Sequence, residues 1–102
     1  MTMTNLGRVN VAAPGTPVPL ATDPAITASK LFVQAVPGLT GKMYLGARTM
    51  SKTSLAGIAR VLSPGESFFL ESQDGADTIR LKDYAIDAGV AGEGLLVTWW
   101  TE

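Results

Sequence analysis

Short apolar segments separated by glycine, proline and polar residues recur along the chain from Lys30 to the C-terminus. Each segment is about four to eight residues long and the breaks fall about every ten residues, which is the pattern of an all-β protein. The predicted strands are Lys30–Val36, Lys42–Gly46, Gly57–Leu62, Ser67–Glu71, Thr78–Lys82, Tyr84–Asp87 and Leu95–Trp100. For roughly six to eight short strands, the economical fold is a small antiparallel β-sandwich or a Greek-key barrel.

Turn residues between the segments suggest how neighbouring strands pair. Pro37-Gly38 follows the first segment, so Lys30–Val36 and Lys42–Gly46 are expected to form a hairpin. Ser63-Pro64-Gly65-Glu66 suits a tight turn, which predicts a second hairpin between Gly57–Leu62 and Ser67–Glu71. The glycine-rich segment Ala88–Gly94 is interpreted as a further hairpin turn.

Residues 1–29 differ from the rest because four prolines remove backbone donors and force extended or turn geometry. We therefore expect two parts: an extended N-terminal arm over residues 1–29, lying across a surface, and a β-sandwich domain over residues 30–102. Within the arm, Arg8–Val11 alternates and could form an edge strand. A flexible terminus is the alternative. The prolines are Pro14, Pro17, Pro19 and Pro24.

The composition excludes most catalytic chemistry. The 102 residues contain no His and no Cys, so neither a Ser-His-Asp or Cys-His nucleophile nor a thiolate-held metal is available. Asp74 and Asp77 could offer two oxygens to a calcium ion, but the spacing of an EF-hand is missing. The sequence predicts no enzyme activity, no metal and no cofactor.

Charge argues against two classes of partner. Eight Lys and Arg against nine Asp and Glu, scattered along the chain, give a formal net charge of −1. There is no basic cluster to neutralise phosphate or anionic lipid, so neither nucleic acid nor a membrane is expected as a partner. Apolar residues make up 46% of the chain and charged residues 17%, which leaves apolar surface for a protein partner.

Paired aromatics provide the sharpest signal. In Phe68-Phe69 and in Trp99-Trp100, adjacent residues of a strand point to opposite faces, so one ring of each pair lies outside a one-sided core. That ring is covered by the arm or a loop, is packed in a subunit contact, or forms a platform for a sugar. The residues predicted to form an interface are Val9, Val11, Val18, Leu20, Phe32, Phe69, Trp99 and Trp100.

The order of these segments resembles small structural proteins of tailed bacteriophages, among them the β-sandwich head-decoration or cement proteins. The resemblance covers residues 16–100 and is one of segment order more than of individual residues. It is carried by Val18-Pro19-Leu20, Leu31–Ala35, Pro37–Gly41 followed by Met43–Gly46, Leu62–Ser67 and the terminal Trp99-Trp100.

The resemblance implies a non-enzymatic virion protein, assembled in the host bacterial cytoplasm, that binds the finished head and reinforces contacts between capsomers. Its implied partners are the major capsid protein or another virion protein, and further copies of itself in a homotrimer. A head fibre, a tail component or a baseplate part would have a similar sequence. A carbohydrate-binding β-sandwich module using Trp99 or Trp100 is the alternative from another class.

Overall fold

The computed structural model describes residues 2–21, 25–51, 53–73 and 76–101. Over these residues the chain forms β-strands and a single short 3-10 helix, Leu81–Asp83. The strands are β1 (Thr2–Asn10), β2 (Val18–Pro19), β3 (Thr27–Ala28), β4 (Lys30–Ala35), β5 (Met43–Ala47), β6 (Ile58–Leu62), β7 (Ser67–Glu71), β8 (Ile79–Arg80), β9 (Tyr84–Ala88) and β10 (Gly94–Thr101).

The strands form two packed antiparallel sheets, which confirms the predicted all-β sandwich. The first sheet has the order β1-β10-β4-β7 and the second sheet the order β2-β9-β5-β6. A small two-stranded ladder, β3 with β8, joins Thr27 to Arg80 and Ala28 to Ile79.

The core lies between the two sheets, and the central strands β4 and β10 of the first sheet alternate inward apolar and outward residues. On β4, three inward residues are fully buried while their neighbours remain partly exposed. The same alternation on β10 buries Trp99 and leaves Trp100 partly exposed. The large buried side chains include Leu31, Val33, Met43, Leu45, Leu62, Leu81, Ile86, Leu95 and Val97.

Both predicted hairpins are wrong, because the strands on either side of each turn lie in different sheets. β4 pairs with β10 and β7, whereas β5 pairs with β6 and β9. The segment between β6 and β7 likewise crosses from the second sheet to the first, and so does Ala88–Gly94. A proline-glycine turn reverses the chain without specifying whether the next strand pairs or crosses, and burying two apolar sheet faces requires crossings.

Glu93 shows what stabilises one of these crossings. Its Oε2 accepts hydrogen bonds from the Thr40 backbone N–H at 2.8 Å and the Thr40 hydroxyl at 3.1 Å, and its Oε1 accepts one from the Gly41 N–H at 2.9 Å. These bonds lower the pKa of Glu93, the Thr40 backbone bond most strongly. The partners are more than fifty positions apart, so local turn chemistry does not reveal them.

Strands β1, β2 and β3 lie within the segment expected to form an arm. β1 pairs with β10 from Thr2 to Asn10, and β2 pairs with β9. Between them, Gly15 donates its N–H to the carboxylate of buried Asp87 at 3.0 and 3.3 Å. Residues 2–21 therefore pack within this chain rather than reach away from it. Pro24, the last of the four prolines, lies outside the described residues.

Alternation in the predicted strand Thr78–Lys82 places its side chains as expected, although only Ile79–Arg80 forms strand. Ile79 and Leu81 are buried and Arg80 is exposed. Leu81 begins the 3-10 turn that leads into β9, so the predicted strand and its successor are separated by this turn.

Candidate functional site

The outward side of the first sheet carries a group of apolar side chains that we name the outer apolar face. Met3 is 59% exposed, Phe69 47% and Leu96 37%, while Phe32 and Trp100 are half-buried. These five residues come from all four strands of the sheet. On β4 and β10 these positions alternate with buried ones and on β7 with half-buried ones, whereas β1 is exposed along most of its length.

Strand register brings four of the five side chains together, whereas Leu96 lies four residues along β10 from Trp100. Met3 lies opposite Trp100, and Phe32 lies opposite Phe69. The rings of Phe69 and Trp100 are 6.2 Å apart between centroids and tilted by 58°, an arrangement that aromatic pairs favour. Trp100 therefore lies between Met3 and the ring of Phe69, and its direct neighbour on β4 is Lys30, so the indole lies toward one end of the face.

Polar side chains border the face at two opposite ends. At one end Lys30 Nζ and Glu71 Oε2 are 3.9 Å apart. At the other, Arg8 lies opposite Leu96 and donates hydrogen bonds to Asn10 Oδ1 at 2.5 Å and to the Gly92 carbonyl at 3.3 Å. An apolar centre with a charged, solvated border is the usual composition of a contact between proteins.

Three of the residues predicted to form an interface lie on this face: Phe32, Phe69 and Trp100. Alternation predicted that one ring of each aromatic pair points outward, but not which one. In the structure the more exposed members are Phe69 and Trp100.

The other predicted interface residues lie elsewhere. Val11, Leu20 and Trp99 are buried in the core of this chain, exposed by 0%, 3% and 8%. Val9 and Val18 are half-buried and pack against the same core. The prediction assigned them to a free arm, but pairing with β10 and β9 turns these side chains inward.

Met3 and Leu96 belong to the face and were missed. Leu96 and Trp100 are four residues apart on β10, so their side chains lie on the same side of the sheet. The alternation of Leu95–Trp100 could therefore have identified Leu96 as part of the face. Met3 lies in a polar stretch without alternation, and only its pairing with Trp100 places it on the face. Nothing in the local sequence signals that pairing.

Two open clefts lie away from the face. One, of about 520 Å³, opens between β1 and the segment after β2, and its apolar lining includes Leu6, Leu20, Ile26 and the edge of Trp99. The other, of about 460 Å³, is more polar and is lined in part by Arg80, Asp83 and Tyr84. Among the described residues, no group of three His, Cys, Asp or Glu is arranged to hold a metal ion.

Within the described ranges, no helix has the length and apolar character needed to span a membrane. No protein-family model matches the chain, and no curated protein or solved structure matches it. The outer apolar face is therefore the feature of the described structure best suited to function. What it can do chemically is bury apolar area against another surface.

Proposed function

We propose that this protein is a non-enzymatic structural protein of a tailed-bacteriophage virion that binds the assembled head as a decoration, or cement, protein. In this proposal its partners are the major capsid protein and two further copies of itself. It stabilises the contacts between capsomers, and it acts in the virion after assembly in the bacterial cytoplasm.

The order of turns and strands over residues 16–100 supports the virion assignment by resemblance. The observation that carries the binding part is the outer apolar face. Its five apolar side chains include Met3, Phe69 and Leu96, each more than one-third exposed. Covering such a surface is favourable by about 25 cal/mol per Å² of apolar area removed from water. A role in binding another protein therefore accounts for the exposure of these side chains.

The face, rather than an N-terminal arm, is the proposed contact with neighbouring proteins. Val11 and Leu20 stabilise the core of this chain, so the segment that contains them is not free to clamp a capsid. Phe69 and Trp100 supply the large rings that concentrate binding energy in protein contacts.

Co-sedimentation with heads that lack this protein tests the proposal. Heads assembled from the major capsid protein encoded with this chain are mixed with wild-type protein and with a Phe69→Ser variant. Wild type is expected to sediment with the heads, and the variant to lose binding by at least about tenfold, as expected for an aromatic anchor.

The matched control is Val90→Ser, because Val90 is an apolar residue of similar exposure, 40%, in the segment between β9 and β10. This variant is expected to bind as wild type does. Absence of wild-type binding would contradict the decoration function, and equal binding by Phe69→Ser and wild type would contradict the role of the face.

Carbohydrate binding is the second candidate, favoured by the half-exposed indole of Trp100. Trp99 no longer serves that candidate because it is buried. A titration of indole fluorescence with a panel of oligosaccharides distinguishes the two candidate functions. A saturable shift that is lost in Trp100→Phe favours a sugar site, whereas the decoration proposal expects no change in fluorescence.

A further inference from the structure

The two outermost strands of the first sheet, β1 and β7, each have one paired neighbour. Each strand therefore has a second edge whose backbone groups are directed away from the sheet. The backbone hydrogen bonds at the ends of the two strands identify which residues supply these groups.

On β1, the Val11 N–H donates to the Glu93 carbonyl at 2.9 Å. Because backbone groups point to alternate sides along a strand, Val9 and Val11 face β10, and Arg8 and Asn10 face outward. The register shift between Asn5 and Gly7 is a bulge, and it reverses which alternate residues direct their backbone groups toward β10. On the N-terminal side of this bulge, Met3 and Asn5 therefore direct their backbone groups outward.

On β7, the Ala35 N–H donates to the Glu66 carbonyl at 2.8 Å. Alternate residues Phe68 and Leu70 then face β4. Ser67, Phe69 and Glu71 direct their backbone groups to the open edge, and their side chains lie on the same side of the sheet as the outer apolar face.

The two edges are complementary. Neighbouring strands of the first sheet are antiparallel throughout, so placing β1 of a second copy beside β7 continues the same alternation. In that register Glu71 lies opposite Met3, Phe69 opposite Asn5 and, past the bulge, Ser67 opposite Arg8. At each of these positions the backbone N–H and C=O groups point to the open edge of the strand. The side chains at these positions all lie on the same side of the sheet as the outer apolar face.

Side-chain chemistry supports this pairing. Met3 of one copy would lie diagonally across from Phe69 of the other, within reach of its ring, so apolar side chains of the two copies meet at the contact. β1 also contains no proline, so each outward-facing residue of its open edge keeps a backbone N–H that can donate to a neighbouring strand.

Pairing β1 with β1 of a second copy is less favourable because of the bulge. To match outward-facing residues, Asn5 would lie opposite Arg8 and Met3 opposite Asn10, which sets the two bulges against each other. A bulge is accommodated when two residues oppose one on a regular strand. β7 is regular in its pairing with β4 and meets this requirement.

We propose that copies of this chain associate head to tail, with the free edge of β1 adding to the free edge of β7 in the next copy to form a continuous antiparallel sheet. This inference rests on the self-association in the proposed function and names the surfaces that perform it. Such a contact is heterologous, so repetition closes into a ring when the rotation between copies permits.

The chain contains no cysteine, which makes disulfide mapping clean. A variant carrying Met3→Cys and Glu71→Cys is oxidised and resolved without reductant. Within one chain the two positions lie three strand spacings apart, about 14 Å, which is beyond the reach of a disulfide. A disulfide between them therefore joins two chains.

The control carries Arg8→Cys and Glu71→Cys, on the same two strands but about 14 Å out of register. The Met3/Glu71 variant is expected to cross-link at least about tenfold faster than this control, because pairing raises the effective concentration of its thiols. Met3→Cys alone is expected to remain uncrosslinked.

Equal cross-linking in the two double variants would overturn the proposed register. A product from Met3→Cys alone as abundant as that from the double variant would show that cross-linking does not require the thiol on β7, and would overturn the proposal. No intermolecular product at all would do the same.

This test uses the chain alone and is therefore separate from the binding of heads. Cross-linking without sedimentation on heads contradicts the decoration function and leaves the edge contact in place. Sedimentation without cross-linking contradicts the edge contact and leaves the decoration function in place.

Discussion

At the scale of single residues, Asp87 is the most constrained polar group in the core. Its side chain is 1% exposed, and Oδ1 accepts hydrogen bonds from the Gly15 N–H at 3.0 Å and the Ala88 N–H at 2.8 Å. A buried carboxylate is stable only when its oxygens are hydrogen-bonded. Asp87 thereby fixes the segment between β1 and β2 onto the second sheet.

Asp87→Ala is expected to lower the free energy of unfolding by about 2 kcal/mol, because it leaves buried N–H groups without an acceptor. Urea denaturation measures the change. Asp83→Ala, at an exposed position in the 3-10 turn, is the control and is expected to stay within about 0.5 kcal/mol of wild type. An unchanged midpoint in Asp87→Ala would show that the segment is fixed by other contacts.

Glu66 and Glu93 make the free energy of unfolding depend on pH. Backbone hydrogen bonds, from Ser63 to Glu66 and from Thr40 to Glu93, hold both pKa values below the ordinary 4.5. The folded state therefore binds fewer protons than the unfolded state in the acid range. The stabilisation is present above pH 4.5 and is lost as the pH falls through the folded pKa values.

We expect the melting temperature of wild type to fall as the pH is lowered from 5 toward 3. In the double variant Glu66→Gln, Glu93→Gln the same acidification is expected to produce a smaller fall, because these two carboxylates no longer titrate. Parallel curves for the two proteins would mean that these carboxylates do not contribute to the acid sensitivity.

At the scale of elements, the sequence predicted strands better than pairings. The alternation in β4 and in β10 locates both strands within a residue or two, because each buries one face. Pairing depends on distant contacts. The Glu93 bonds to Thr40 and Gly41, for instance, hold the β4–β5 crossing from a position far along the chain.

β1 shows a second limit. Only Arg8–Val11 was predicted as strand, whereas β1 begins at Thr2. Its first five residues are exposed and lack alternation, so β10 rather than the local sequence determines their conformation. For the same reason Met3 could not be predicted as part of the outer apolar face, although Phe69 and Trp100 could.

The junction of β1 and β10 depends on a glycine. A Cβ at Gly94 would overlap the Val9 carbonyl and approach Asn10 Oδ1 at 2.6 Å, so Gly94→Ala is expected to cost about 1–3 kcal/mol by crowding. At Gly89 a Cβ would meet Lys42 backbone atoms at an ordinary 3.6 Å. Thermal unfolding of the two alanine variants compares them.

Gly89→Ala is expected to melt close to wild type and Gly94→Ala well below it. If the two variants melt together, the β1–β10 junction tolerates a side chain and the close approach at Gly94 does not stabilise this pairing.

At the scale of the whole molecule, one sheet carries both the apolar face and two free edges. The first sheet exposes Met3, Phe69 and Leu96 on its outer side, and its outermost strands β1 and β7 are complementary. Face and edges together favour association between copies of the chain. In the proposed function this association comes first, and binding to a capsid builds on it.

The most direct test is the mass of the protein in solution, measured by light scattering over a tenfold range of concentration. We expect a stable species of three chains, each of 10.7 kDa, and a smaller mass for the Phe69→Ser variant at the same concentrations. A mass of one chain throughout the range would contradict this association.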